Sequence, residues 1–90
     1  MKQSAHLIIS GRVQGVFYRQ TTKEKARKYG LNGWVRNLPD GRVEVQVEGR
    51  KEDVEKLIQW SRQGSSMSQV EEVKVEISQP DGLKGFEIKY

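Results

Sequence analysis

An α+β sandwich is the fold class this sequence predicts, and three observations predict it. Two segments with helical spacing, about Tyr18–Tyr29 and Lys51–Gln63, are set among five short segments rich in branched apolar residues. Two of the strands alternate: Val43, Val45 and Val47 against Glu44, Gln46 and Glu48, then Val73, Val75 and Ile77 against Lys74 and Glu76. Such one-sided strands suit an antiparallel sheet with one face packed and one face wet. The element order is βαββαβ plus a short closing strand. That is the ferredoxin-like split-βαβ plan, with two helices on one face of an antiparallel sheet.

Taken in order, Met1–Ser4 are polar and expected to fray. The first strand runs from Ala5 to about Arg12, with His6 at its start as a structural residue, since no Ser or Cys nucleophile motif accompanies it. The first helix covers Tyr18–Tyr29, with Thr22, Ala26 and Tyr29 on one face and Glu24–Lys28 as a favourable pair one turn apart. Thr21 and Glu24 offer a capping box that would start it later. Gly30 is a good residue to end it, with Leu31 closing the cap. Asn32–Leu38 and Arg42–Glu48 are predicted to form a hairpin around Pro39-Asp40-Gly41. Helix two presents Val54, Leu57, Ile58 and Ser61 as its core stripe, and Gly64-Ser65-Ser66 breaks it. A strand over Val70–Ser78, a turn at Gln79-Pro80-Asp81-Gly82 and a closing strand over Gly85–Tyr90 complete the chain.

Ninety residues suit one domain, residues 1–90, with a modest core. Apolar residues at 34% and charged residues at 31% fit a small soluble protein rather than a disordered one. With no cysteine there is no disulfide framework, thiol nucleophile or thiolate metal site, which is compatible with a cytoplasmic location. No apolar run is long enough for a transmembrane helix, so no membrane partner is expected. The net charge of +4 favours anionic partners, but it is spread thinly along the chain. Nothing signals an oligomer, so a monomer is the expectation.

The chemistry-bearing stretch is Gly11-Arg12-Val13-Gln14-Gly15-Val16-Phe17-Tyr18-Arg19, a loop between the first strand and the first helix. Successive N–H groups in such a turn converge into a positive concavity, and the first N–H groups of the following helix have no partner of their own. Gly15 permits a positive φ, and Arg19 adds a planar fork that can grip two oxygens of a phosphate. The Gly-Lys-Ser/Thr ending of a Walker loop is absent. On local chemistry alone, a turn with a solvated Arg19 is an equal reading.

With the loop, the hairpin and the element order in hand, the chain resembles the acylphosphatase family over nearly all its length. The resemblance is carried by Gly11–Arg19 and by Gly33-Trp34-Val35-Arg36-Asn37-Leu38-Pro39-Asp40-Gly41, with modest support from Gly85–Tyr90. It implies hydrolysis of a carboxyl–phosphate anhydride to a carboxylate and inorganic phosphate, with no cofactor and no metal. It implies that backbone N–H groups of Gln14, Gly15, Val16, Phe17 and Tyr18 hold the phosphoryl oxygens with Arg19, and that Asn37 orients water. The catalytic candidates are therefore Arg19 and Asn37. The expected partner is a small acyl phosphate, with inorganic phosphate or sulfate as competing anions. Leu38 stands where some members carry Thr, and Gly64-Ser65-Ser66 replaces a Gly-Pro-Pro often found after helix two. The first departure bears on activity, the second on loop rigidity.

Phosphoryl transfer from a good carboxylate leaving group needs positioning and charge stabilisation more than proton transfer, so no His, Cys or carboxylate pair is required. Trp34, Phe17 and Tyr18 are expected in the core or the pocket wall, and Arg12 and Arg36 in solvent. For Asn37 taken alone, a turn-building role ahead of Pro-Asp-Gly is the stronger reading, and only the paired motifs reverse it. An RNA-binding domain on this plan would need exposed aromatics on its central strands, which His6–Ile9 and Val43–Val47 lack, so no nucleic-acid partner is expected. A domain that binds phosphate without turning substrate over is the third reading, told apart by catalysis.

Overall fold

The computed structural model describes residues 1–90. Its elements are β1 (Lys2–Arg12), α1 (Tyr18–Lys28), β2 (Asn32–Asn37), β3 (Val43–Arg50), α2 (Lys51–Gln63), β4 (Gln69–Ser78) and β5 (Phe86–Lys89). They build one five-stranded sheet in the order β4-β1-β3-β2-β5. β1 and β2 run the same way with β3 between them, so the loop after β1 crosses the start of β3 to reach α1. That crossing puts the Gly11–Arg19 stretch beside the end of β2.

The apolar alternation sorts the sheet as its spacing requires. Ala5, Leu7 and Ile9 of β1, Val35 of β2 and Val43, Val45 and Val47 of β3 are buried on the face that carries the helices. α1 lies over β2 and β5, and α2 over β1, β3 and β4. α2 buries Val54, Leu57, Ile58 and Ser61, the predicted stripe. In α1, Thr22 and Ala26 are buried and Tyr29 packs against the core from a half-buried position. The end of α1 is a Schellman cap: Leu31 N–H donates to the Ala26 carbonyl at 2.8 Å and Gly30 N–H to Arg27 at 3.1 Å, with Leu31 buried just beyond.

Several expectations are corrected. The sheet is mixed rather than antiparallel, because β5 pairs in parallel with β2. β4 ends on one edge of the sheet, and the chain crosses beneath the end of β3 to the other edge, so it re-enters from the end where β2 begins. Met1–Ser4 do not fray: β1 pairs with β3 from Lys2, opposite Arg50, and the Met1 carbonyl accepts the Lys51 N–H at 2.9 Å. Thr21 and Glu24 do not cap α1; the helix starts at Tyr18, and the Thr21 hydroxyl donates to the Phe17 carbonyl. Of the β4 stripe, Val73 and Val75 pack but Ile77 is 53% exposed, beyond the reach of α2 on an edge strand. Trp34 is neither core nor pocket wall. It lies on the open face of the sheet, with the Arg36 guanidinium 5.6 Å and the Lys89 ammonium 4.7 Å from its ring centre.

The crossing beneath the sheet is tied down by Glu48, only 3% exposed. Its carboxylate accepts the N–H groups of Asp81 at 2.6 Å, Gly82 at 3.0 Å and Leu83 at 2.9 Å. Burial works to raise the Glu48 pKa, but the three backbone donors and the Ser4 hydroxyl outweigh it and hold the group below its ordinary value near 4.5. A carboxylate with a depressed folded pKa contributes stability above its unfolded pKa, and loses it as pH falls through the folded value. The thermal stability of the wild type is therefore expected to fall on acidification below about pH 4.5. Glu48→Gln should melt lower at neutral pH and show a shallower acid loss; an unchanged acid slope would contradict this anchoring role.

Candidate active site

At the end of the sheet where β1, β2 and β5 finish lies a cavity of about 250 Å³. Gly15, Phe17 and Arg19 line it from the loop and the first turn of α1, Asn37 from the last position of β2, and Ile88 and Tyr90 from the end of the chain. The loop itself is shaped by two residues in the left-handed region, Gly15 at φ 72° and Phe17 at φ 62°. Glycine takes this conformation freely, whereas Phe17 takes it at a cost that the surroundings must offset. No carbonyl or side chain accepts a hydrogen bond from the N–H groups of Gln14 through Gln20. Those of Tyr18, Arg19 and Gln20 are the open donors of the first turn of α1, and those of Gln14–Phe17 belong to the loop that bends ahead of it.

Arg19 has no carboxylate partner; the ion pairs of the molecule are His6–Glu44, Arg36–Glu44, Arg42–Asp40 and Lys56–Asp53. Its guanidinium sits 4.9 Å from the ring centre of the exposed Tyr90. Asn37 is the informative neighbour. Its Oδ1 is buried, accepts no hydrogen bond, and is the molecule's one buried side-chain N or O atom in that condition. A buried acceptor left open costs free energy unless something from solvent or a ligand fills it.

The hairpin beside Asn37 is built by other groups. Asp40 Oδ1 accepts the Arg42 N–H and Oδ2 its Nε, and these Arg42 contacts hold the exposed Asp40 carboxyl below its ordinary value. Gln14 Nε2 donates to the Leu38 and Arg42 carbonyls, each at 2.8 Å, so the loop after β1 is bolted to the hairpin that carries Asn37. Gln14 was expected to offer only its backbone N–H; its side chain has this second task. Tyr18 likewise offers only backbone: its buried ring packs on Trp60 with centres 5.2 Å apart, and its hydroxyl donates to the Ser61 carbonyl at 2.8 Å. Burial raises the Tyr18 pKa far above its ordinary value, so it stays neutral.

The fold brings Gly15, Phe17, Tyr18 and Arg19 of the loop and α1 together with Asn37 of β2 in one cavity, whereas Gln14 and Val16 do not line it. Phe17 is 76% exposed at the rim. His6, expected to be structural, pairs with Glu44 across the open face at 2.6 Å, and Arg36 pairs there too, away from the cavity. Sequence reasoning missed Tyr90. The signal was available: Phe86 and Ile88 face the helices, and one more step of the same alternation brings Tyr90 to α1 beside Arg19. No group of three or more His, Cys, Asp or Glu is placed to hold a metal ion, and no helix is long and apolar enough to cross a membrane.

One cavity on a split-βαβ frame thus gathers open N–H groups, a guanidinium without a carboxylate partner and an open amide oxygen. The family model Acylphosphatase matches residues 5–88 of the chain. The acylphosphatase of Haloarcula marismortui is 51% identical over 86 residues, covering 96% of this chain and 94% of that one. The acylphosphatase of Thermococcus kodakarensis is 52% identical over 84 residues, covering 93% and 92%. The crystal structure of acylphosphatase from Bacillus subtilis superposes with a TM-score of 0.94 at 37% identity, covering both chains completely. The chain belongs to the acylphosphatase family, a family of hydrolases.

Proposed function

We propose that residues 1–90 act as one monomeric catalytic unit that hydrolyses small acyl phosphates, with the Gln14–Arg19 loop as the phosphoryl cradle. The observation that carries this reading is the open Asn37 Oδ1 in the same cavity as Arg19 and the unpaired loop N–H groups. In it, the N–H groups of Gln14, Gly15, Val16, Phe17 and Tyr18 and the Arg19 fork hold the non-bridging oxygens of the substrate. Asn37 Oδ1 accepts a hydrogen bond from a water and turns its lone pair toward phosphorus. The water oxygen forms the new P–O bond while the bond to the acyl oxygen breaks, and the carboxylate leaves with that electron pair. The proton of the water passes to a phosphoryl oxygen, so acyl phosphate dianion and water give carboxylate and dihydrogen phosphate. No group needs a tuned pKa. Catalysis rests on positioning and on spreading charge over the equatorial oxygens.

The acyl part points past the exposed Phe17, so acyl groups of similar reactivity should be hydrolysed at similar rates. Hydrolysis of benzoyl phosphate, followed by absorbance with and without EDTA, tests the reading. Equal turnover in both, inhibited competitively by inorganic phosphate and by sulfate, is the expected result. Loss of activity on exhaustive chelation with recovery on adding a divalent ion would overturn it, as would a protein that binds phosphate and leaves benzoyl phosphate intact.

A further inference from the structure

The segment that follows α2, Gly64-Ser65-Ser66, is hydrogen-bonded to the loop after β1: the Ser65 hydroxyl donates to the Val16 carbonyl at 2.8 Å. A trans peptide is planar, with its C=O and N–H on opposite sides, and the chain contains no cis bond. Anchoring the Val16 carbonyl outward therefore directs the Phe17 N–H the opposite way. This agrees with the cavity lining, which includes Gly15 and Phe17 but not Val16. The same peptide sits under strain, because Phe17 is the one non-glycine residue with positive φ. Rotating the Val16–Phe17 peptide by half a turn would carry Phe17 to a negative φ, which an L residue prefers, and would turn a carbonyl oxygen toward the bound anion.

We infer that Ser65 is a positioning residue that locks this peptide against flipping, keeping the Phe17 N–H aimed into the phosphoryl site. The segment is suited to the task because it is held by its own contacts. Gly64 N–H donates to the Trp60 carbonyl at 2.7 Å, and Ser68 donates to the Ser65 carbonyl through its N–H at 3.0 Å and its hydroxyl at 2.7 Å. The hydroxyl of Ser65 is thus presented to Val16 from a fixed base. Here the departure from Gly-Pro-Pro acquires a consequence: a proline at position 65 has no hydroxyl to donate, so this chain secures its cradle by a hydrogen bond that such a segment could not make.

The inference rests on the cradle reading above. It is tested by the competitive inhibition constant of inorganic phosphate against benzoyl phosphate hydrolysis, well below the melting temperature of each variant. One neutral hydrogen bond corresponds to a ~3- to 10-fold change. Ser65→Ala should raise the phosphate inhibition constant by that factor, with a matching fall in kcat/KM and a shifted Phe17 amide resonance. Ser65→Thr, which keeps the donor, should stay within ~2-fold of wild type on the same scale. Ser68→Ala, which removes one of the two bonds on the Ser65 carbonyl and leaves the Ser65 donor in place, should raise the phosphate inhibition constant by less than Ser65→Ala does. If Ser65→Ala does not fold, Ser65→Cys, with its weaker donor, carries the comparison. An unaltered inhibition constant in Ser65→Ala (or in Ser65→Cys, where it stands in), a Ser65→Thr as impaired as Ser65→Ala, or an equal loss in Ser68→Ala would overturn the lock and leave the cradle standing. Failure of phosphate to compete in the wild type would instead remove the cradle itself.

Discussion

Replacing Arg19 by alanine is expected to cost the enzyme both phosphate affinity and turnover. The guanidinium meets no carboxylate within the molecule, so its hydrogen-bonding fork is free for substrate. A fork on two phosphoryl oxygens makes two charge-assisted hydrogen bonds, each worth about 1.5–3 kcal/mol. Their joint loss corresponds to ~10²- to 10⁴-fold in kcat/KM. Because the contact is proposed both with bound phosphate and in the transition state, the phosphate inhibition constant should rise along with the fall in rate. Folding should be nearly indifferent, since what is lost within the molecule is one exposed contact with the Tyr90 ring, worth about 0.5–1 kcal/mol. Arg19→Lys should recover part of the affinity through its charge and little of the rate, because an ammonium lacks the planar fork. Steady-state kinetics with phosphate as inhibitor, beside a melting curve, checks all three statements. An Arg19→Ala enzyme with wild-type phosphate inhibition would take the arginine out of the site.

Replacing Asn37 should fail in a different way. Its amide is proposed to touch the attacking water and not the bound anion, so Asn37→Ala should keep near-normal phosphate inhibition while kcat falls by at least ~10²-fold. The stability forecast separates this from a turn-building role. A residue that built the hairpin would destabilise the protein when removed. Here the hairpin is held by Asp40, Arg42 and Gln14, and the Asn37 Oδ1 has no partner to lose. Deleting a buried, unpaired acceptor should leave the melting temperature unchanged or slightly raised. A stable Asn37→Ala enzyme with wild-type kcat would exclude the residue from the mechanism; a markedly destabilised one with normal turnover per folded molecule would restore the turn reading.

How far the molecule was legible in its sequence depends on what each feature is made of. Helix two was read from end to end because Val54, Leu57, Ile58 and Ser61 repeat with a helical period and Gly64 closes it. The alternation of Val43, Val45 and Val47 placed β3 with the right face inward, although the strand continues to Arg50 through residues that carry no alternation. The parallel pairing of β5 with β2 was not legible, since alternation reports which face a residue takes and says nothing of a neighbouring strand's direction. The start of α1 at Tyr18 was read correctly, and the alternative later start at a Thr21 capping box is not used because the chain turns at Phe17, whose positive φ no composition rule expects. Trp34 misled because a large aromatic suggests a core, while the parity of β2 sends it to the open face between two cations.

In the cavity, Arg19 and Asn37 were singled out through the resemblance of two motifs to the acylphosphatase family, not by spacing, and the fold brings both to one place. What escaped was the scaffolding around them. The Gln14 side chain spans 24 positions to Leu38 and 28 to Arg42, and Ser65 meets Val16 from 49 positions away. Contacts of that range depend on β3 lying between β1 and β2, and on the segment after α2 returning to the loop. They become visible only once the chain is folded.

The central claim, that the Gln14–Arg19 loop holds the phosphoryl group, is tested most directly by titrating the isotopically labelled protein with inorganic phosphate and following each backbone amide. The account predicts saturable shifts concentrated at Gly15 through Arg19, lost in Arg19→Ala and retained in Asn37→Ala. Shifts scattered over surface lysines, or saturable binding that leaves the amides of Gly15–Arg19 unmoved, would contradict it.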